Sequence, residues 1–231
     1  MYSKYTRKAD RKNYALVGMV FLGSLALALW VTFHIAERQL NVQIAHQAIP
    51  IRYAIDNLID ETYRVASEAE GWAGKPCNRQ QENRLNTLPA RELRMLVVSL
   101  LDDHRIYCSS LLDNKGAEID PRSFSAQGIK IDDSVASAGI PAFSLYRRFA
   151  HGGILVSADL RYLRGIMGIT NQDERFALVV HNDILTQNGI LKGRAAQKGK
   201  AEYPQRISAG LYSLVWREPS ANEIWHEIVD S

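Results

Sequence analysis

The chain contains only two cysteines, and one of them stands beside two hydroxyl side chains. Cys108 precedes Ser109 and Ser110 in RIYCSSLL, a stretch whose composition favours a β-strand. Cys77 lies 31 residues earlier, in a segment that contains two glycines and a proline. Cys108 could be a buried thiol, a nucleophile or one half of a disulfide. The compartment that holds this stretch decides among them.

Catalysis and metal binding are not favoured by the residues around the tripeptide. A nucleophilic Ser109 or Ser110 needs a general base and an oxyanion site. His104 is close in sequence, but no G-x-S-x-G turn surrounds the serines. We therefore expect the two hydroxyls to hydrogen-bond the backbone. Two thiols without a C-x-x-C pair or ordered histidines do not predict a metal site, so we predict no catalytic residue, metal or cofactor.

The N-terminal residues determine the expected compartment. Residues 1–13 carry five lysines and arginines against one aspartate, and residues 13–36 carry no formal charge. Twenty-four helical residues at about 1.5 Å each span roughly 36 Å, enough to cross a hydrocarbon core about 30 Å thick. Because basic flanks stay inside, we predict a cytoplasmic tail over 1–13, a transmembrane helix over 14–35 and a periplasmic domain over 36–231.

A cleavable signal peptide is the alternative to an anchor. Ala26 and Ala28 resemble the small residues of a cleavage site. The apolar run continues past them through Trp30 and Phe33, which favours an uncleaved span. Both alternatives export the rest of the chain. No later apolar run reaches the roughly 20 residues of a second span, so we predict a single-pass protein of a bacterial inner membrane.

The charge of the chain argues against one class of partner. The formal net charge is +3, and the basic tail alone supplies a surplus of four. The exported part is therefore close to neutral. A nucleic-acid partner has no electrostatic support and is not expected.

The exported part is predicted to consist of helices followed by strands. Apolar residues at spacings of three, four and seven predict a long helix over 37–70, which Pro50 should kink or divide. Glycines and a proline in 71–79 end it, and 88–104 is predicted as a second helix. Strands are predicted over 105–112, 142–149, 153–160, 176–183 and 211–218. This order predicts an α+β fold: a transmembrane helix, a long helix, then a mostly antiparallel PAS-like sensor sheet.

Two cysteines in an oxidising compartment favour a disulfide between Cys77 and Cys108. A loop of this length constrains the unfolded chain by about 3.7 kcal/mol. The bond would join the loop after the long helix to the first predicted strand. On these grounds a plain stabilising bridge is favoured over a regulatory bridge, and two free thiols come last.

Other residues are weaker candidates for a binding site. His151 and His181 each lie near a predicted strand end, where a core or turn role is more common than ligand contact or pH sensing. Tyr146, Arg147 and Arg148 could contribute to a pocket for an anionic ligand. No convergent set of residues supports such a pocket.

The combined features resemble a known family. A basic N-terminus, one predicted span, a long helix, a cysteine in a glycine- and proline-containing loop and a Cys-Ser-Ser tripeptide on a strand occur together. This combination resembles the CSS-motif periplasmic domain, whose name comes from the tripeptide matched by Cys108, Ser109 and Ser110. The partner cysteine of that family matches Cys77. The resemblance covers nearly the whole chain, residues 1–231.

The resemblance implies a function for the bridge. In bacteria this domain normally lies between two membrane spans, ahead of a cytoplasmic EAL domain that hydrolyses cyclic di-GMP. A disulfide between the two cysteines is thought to restrain the phosphodiesterase, and its loss to release it. The resemblance therefore implies a redox role for Cys77 and Cys108 and a link to biofilm control.

The sequence departs from the family's pattern after the sensor region. No second span and no Glu-Ala-Leu tripeptide are present, and acidic pairs such as Asp102-Asp103 are typical of solvated turns. We therefore expect either a truncated product or a chain that acts on a partner. The expected partners are the inner membrane, a second copy or a full-length EAL phosphodiesterase, and periplasmic thiol oxidoreductases.

The sequence thus predicts a membrane-anchored periplasmic sensor of redox or envelope state, linked to control of a cyclic di-GMP phosphodiesterase and lacking the output domain. The alternative is a periplasmic receptor for a small molecule, with a purely structural disulfide.

Overall fold

The computed structural model describes residues 3–92, 94–133, 140–169, 175–193, 196, 203, 205–208 and 210–230, without the side chains of residues 3–15, 112, 169, 205 and 230. The helices are α1 (Ser3–Glu70), α2 (Arg79–Arg91), α3 (Arg161–Ile169) and α4 (Ala221–Asp230). The strands are β1 (Met95–Asp102), β2 (Arg105–Ser109), β3 (Ile129–Asp132), β4 (Ala142–Phe149), β5 (Gly152–Asp159), β6 (Phe176–Val180), β7 (Asp183–Thr186), β8 (Gly189–Leu191), β9 (Gln205–Ser208) and β10 (Ser213–Trp216). The chain forms two compact units, residues 1–46 with 219–231, and residues 47–218.

The first unit contains the N-terminal part of α1 together with α4. The large apolar side chains between Leu16 and Val31 are 42% to 69% exposed. This stretch is long and apolar enough to cross a membrane, the environment in which such exposure carries no hydrophobic cost. In α4, Ile224 is buried and the Trp225 ring lies 5.8 Å from the ring of Phe33. The boundaries 14–35 for the span stay a prediction.

The second unit contains two antiparallel five-stranded sheets. The first has the strand order β2-β1-β5-β4-β3, and the second has the order β8-β7-β6-β10-β9. Strand β3 contacts β6 and β7, so the two sheets meet at that edge. The predicted α+β class with antiparallel strands is confirmed. One sheet was predicted, but the structure has two. The prediction missed the short strands β3, β7, β8 and β9 because they carry no clear sequence signal.

The C-terminal part of α1 packs within the second unit. The predicted apolar stripe is largely buried, with Ile51, Ile55 and Leu58 at most 2% exposed. Pro50 lies inside α1 and does not divide it, contrary to one of the two expected outcomes. A proline removes one helical hydrogen bond, and the buried side chains that follow it hold the helix in place.

The predicted helix over 88–104 is wrong. Helix α2 occupies Arg79–Arg91, and the apolar run that follows is strand β1, Met95–Asp102. This strand lies between β2 and β5 and is buried along almost its whole length. A strand buried on both faces is a continuous apolar run, whose period does not distinguish it from a buried helix.

Candidate functional site

The structure joins Cys77 and Cys108 in a disulfide. Cys77 lies in residues 71–78, the Cys77 loop, which connects α1 to α2. Cys108 lies on β2, the edge strand of the first sheet. The two Cα atoms are 5.4 Å apart, a usual separation for a disulfide. Cys108 is fully buried, whereas Cys77 is partly exposed.

Helix capping fixes Cys77 at the start of α2. The next residue, Asn78, is the N-cap, and its side chain accepts a 2.9 Å hydrogen bond from the backbone N–H of Gln81. Such a cap satisfies one of the free N–H groups of the first helical turn. Upstream, the Trp72 N–H bonds the Ala69 carbonyl and closes the end of α1. The loop is therefore anchored at both ends.

A β-bulge directs Tyr107 towards the Cys77 loop. Leu100 pairs with Cys108 but Leu101 pairs with Ile106, so Tyr107 is an extra residue in β2. Its hydroxyl accepts a 3.0 Å hydrogen bond from the Gly74 N–H. Burial raises the pKa of Tyr107 above its usual value. Sequence reasoning missed this residue, because a bulge leaves no signature in a single sequence.

The two serines of the tripeptide form structural hydrogen bonds. Ser109 Oγ lies 2.8 Å from Ser99 Oγ on β1 and accepts a 3.1 Å bond from the Leu111 N–H. Ser110 Oγ accepts a 3.0 Å bond from the Val98 N–H. The expectation that these hydroxyls bond the backbone is confirmed. His104 lies in the turn between β1 and β2, where its ring contacts Asp103 at 3.5 Å.

Ser109→Ala is expected to lower the free energy of unfolding by about 1–3 kcal/mol. The change would leave the fully buried Ser99 hydroxyl without the partner that it has in the native protein. Urea unfolding of the single and double alanine variants at positions 99 and 109 measures this. The double variant should cost less than the sum of the two single variants, and simple additivity would contradict the pairing.

An ion pair lies beside the exposed side of the bridge. Glu82 Oε1 is 3.7 Å from Cys77 Sγ, and the same oxygen contacts the Lys115 ammonium group. Glu82 is in the first turn of α2. A carboxylate and an ammonium group therefore stand next to the sulfur that is partly exposed. Neither residue was predicted from the sequence.

A cleft of about 900 Å³ borders the Cys77 loop. It lies among this loop, the turn after β1 and the turn between β4 and β5. Its lining includes Lys75, Tyr107, Arg148, Phe149 and His151. Arg148 and His151 were weak candidates in the sequence, and the structure places both in this cleft. Tyr146 instead packs in the core with Leu101 and Ile106.

A second cleft, of about 720 Å³, lies on the second sheet and includes His181, Tyr203, Arg206 and Tyr212 in its lining. The Tyr212 hydroxyl donates a 2.6 Å hydrogen bond to Asp56 of α1. Burial, and then the bond to Asp56, raise the pKa of Tyr212 well above its usual value.

In the described part of the chain, no three His, Cys, Asp or Glu side chains are grouped to hold a metal ion.

Tyr212→Phe is expected to lower the free energy of unfolding by about 1–2 kcal/mol at pH 8, because the bond to Asp56 is lost. The folded state holds the phenol proton more tightly than the unfolded state. The contribution of the Tyr212 hydroxyl to the free energy of unfolding is therefore complete below about pH 10 and is lost as the pH rises above that value. Urea unfolding at pH 8 and pH 10.5 should show the difference between wild type and variant shrinking. Tyr53→Phe is the control, at a side chain that is 68% exposed. It should leave the free energy of unfolding unchanged at both pH values.

Two solved structures resemble this chain in fold. An extracellular ligand-binding receptor from Desulfohalobium retbaense shares the fold with a TM-score of 0.52 and 12% identity, covering 76% of this chain and 37% of that one. The ligand-binding domain of the Pseudomonas aeruginosa amino-acid chemoreceptor PctC, in complex with GABA, matches with a TM-score of 0.45 and 16% identity, covering 78% and 99%. The fold and the bridge define an α+β domain of antiparallel sheets in which a disulfide joins an interhelical loop to an edge strand. The chain belongs to the CSS-motif family, described as the CSS motif domain associated with EAL, whose model matches residues 40–213.

A curated relative supports the same assignment. The probable cyclic di-GMP phosphodiesterase PdeG of Escherichia coli (strain K12) is 24% identical over 206 residues, which cover 84% of this chain and 39% of PdeG. The chain thus spans less than half the length of this relative. The description of the family associates it with EAL domains. The matches to the family and to PdeG confirm the resemblance that the sequence predicted.

Proposed function

We propose that this chain is a membrane-anchored periplasmic sensor of redox or envelope state that regulates a cyclic di-GMP phosphodiesterase. The observation that carries the proposal is the bridge between Cys77 and Cys108. It joins the loop that follows α1 to the edge of the first sheet, and α1 also contains the candidate membrane span. Opening the bridge would remove a covalent tie at the end of this helix.

The proposed topology places the bridge in an oxidising compartment. The basic tail stays in the cytoplasm, α1 crosses the inner membrane once, and the second unit lies in the periplasm. The bias of lysine and arginine before the span supports this orientation. Periplasmic thiol oxidoreductases would then set the state of the two cysteines.

The bridged form is proposed to restrain the phosphodiesterase and the reduced form to release it, as the resemblance to the family implies. Residues 1–231 contain no Glu-Ala-Leu tripeptide, so the catalytic domain would belong to another polypeptide or to a later segment. The partner would be a second copy or a full-length EAL phosphodiesterase in the same membrane. Biofilm formation would be the downstream process.

Thiol trapping in intact cells tests the redox and topology parts of the proposal. Cells are quenched with acid, alkylated with a bulky maleimide and resolved on a gel with and without prior reduction. Both thiols should be blocked in normal cells and labelled when the periplasmic oxidising system is disabled. Free thiols in normal cells would contradict both the bridge and the export of residues 36–231.

A chimera tests the regulatory part. The matched N-terminal region of PdeG is replaced by residues 1–231, and hydrolysis of cyclic di-GMP is measured in membranes. The chimera with Cys77→Ala and Cys108→Ala should be several-fold more active than the bridged form. Equal activities, with the bridge verified in the parent, would contradict regulation by the disulfide.

The cleft beside the Cys77 loop favours a second candidate function, a receptor for a small molecule. It combines Arg148 and Lys75 with the rings of Tyr107 and Phe149, and such mixtures of polar and aromatic groups bind small ligands. Thermal stabilisation of the protein by members of a panel of amino acids and carboxylates is the test. Stabilisation that is unchanged after both cysteines are replaced would favour a receptor with a purely structural bridge.

A further inference from the structure

The two sulfurs of the bridge differ in access. Cys108 is fully buried on β2, opposite Leu100 of β1. Cys77 is partly exposed in its loop, just before the N-cap of α2. An attacking thiolate approaches a disulfide sulfur directly, so access decides which sulfur reacts. Only the loop side of the bridge is open to a partner protein.

We infer that Cys77 is the attacked sulfur when a dithiol reductant opens the bridge, and that Cys77 carries the mixed disulfide. The inference deepens the proposed redox function and depends on it for its physiological meaning. It assigns different roles to the two cysteines, which the sequence does not distinguish. Cys108 is the leaving group, and the partner is a protein with two thiols.

The exchange balances in two steps. The first thiolate of the partner bonds to Cys77 Sγ, the bond between Cys77 and Cys108 breaks, and its electron pair goes to Cys108 Sγ. The Cys108 thiolate takes a proton from water, and the partner's second thiol loses its proton to water. That second thiolate then attacks the partner's own sulfur in the mixed disulfide, and Cys77 leaves and is protonated by water. The products are two protein thiols and the oxidised partner.

The ion pair beside Cys77 is placed to assist this exchange. The Lys115 ammonium group contacts Glu82 Oε1, the carboxylate oxygen beside Cys77 Sγ, from where it can attract an incoming thiolate. Glu82 Oε1, 3.7 Å from Cys77 Sγ, can accept a hydrogen bond from the Cys77 thiol after reduction. The start of α2 adds its partial positive charge next to the same sulfur. Lys115 and Glu82 are therefore assigned as positioning residues.

The first test uses the full chain in detergent with its bridge intact. Glutathione is added, the reaction is stopped with maleimide at short times, and the adduct is located by mass spectrometry of peptides. We expect glutathione on Cys77 at least ten-fold more often than on Cys108, since burial protects the latter. Equal labelling, or a majority on Cys108, would overturn the inference.

The second test compares Cys108→Ser, which keeps Cys77, with Cys77→Ser, which keeps Cys108. The rate of reaction with an aromatic disulfide reagent should be at least ten-fold faster for the first variant when folded and equal for both in 8 M urea. Equal rates in the folded proteins, verified by circular dichroism, would contradict the assignment.

Lys115→Gln tests the positioning role. Reduction of the intact bridge by glutathione should slow by about two- to five-fold, and Lys115→Arg should restore the rate. The effect should disappear in 1 M salt, which a purely structural role of Lys115 would not produce. A loss of rate that is independent of salt and unrescued by arginine would remove Lys115 from the mechanism.

These outcomes are separable from the proposed function. The rates are measured on purified protein and do not depend on compartment. If Cys77 reacts first in vitro but cells keep both thiols free, the redox function fails and the assignment of Cys77 stands. If the bridge switches in cells but glutathione maps to Cys108, the function stands and the assignment fails.

Discussion

Replacing Cys77 and Cys108 together with alanine is expected to lower the free energy of unfolding of the bridged domain by about 3.7 kcal/mol. The bridge closes a loop with a sequence separation of 31 residues, and its loss gives the unfolded chain the freedom that this closure removes. For a domain of this size the melting temperature should fall by roughly 7–15 °C. Thermal unfolding of the full chain in detergent, followed by circular dichroism, measures the effect.

Reduction of the unaltered protein with a phosphine is the matched control. It opens the bridge without removing either side chain, so it should give nearly the same loss of stability. The double alanine variant should not respond to the phosphine at all. A variant as stable as the oxidised protein would show that the bridge does not constrain the unfolded chain.

Gly74→Ala is expected to destabilise the domain by about 2–3 kcal/mol and to speed reduction of the bridge by glutathione. Gly74 has a φ of +75°, and a Cβ atom there would stand 2.6 Å from the carbonyl oxygen of His151. The Cys77 loop would have to move away from the turn before β5 and from Tyr107. Urea unfolding and the rate of thiol release measure the two effects.

Gly210→Ala is the control for the strain of a positive φ alone, at a site far from the bridge in the second sheet. Gly210 has a similar φ of +77°, but no atom of the described residues lies within 4 Å of the position that a Cβ atom would occupy there. The cost should therefore be limited to about 1–2 kcal/mol. The rate of reduction should not change. If both alanine variants behave alike, the close contact between the loop and His151 does not hold the bridge.

The sequence was sufficient for features that depend on composition and on strong periodicity. The uncharged stretch over 13–36 predicted the candidate span, and the apolar spacing over 37–70 predicted the helix that Ile51 and Leu58 anchor. The pairing of Cys77 with Cys108 followed from two cysteines and an expected export. Two long strands, Ala142–Phe149 and Gly152–Asp159, were predicted nearly to their ends.

Features that depend on tertiary pairing could not be predicted. The run MLVVSLLD is a strand because it lies between two others, and nothing in its own pattern excludes a helix. The bulge at Tyr107 arises from the register of β1 against β2. Glu82 and Lys115 meet beside Cys77 only in the fold, since they come from α2 and from a turn after β2.

The tripeptide that names the family has two separable parts in this structure. Cys108 interacts covalently with position 77, whereas Ser109 interacts through its hydroxyl with position 99. The Ser110 hydroxyl accepts its hydrogen bond from a backbone group, the N–H of Val98. Homologous sequences should therefore show two independent covarying pairs, 77 with 108 and 99 with 109. A lineage that has given up redox control should lose the first pair together and still retain the second.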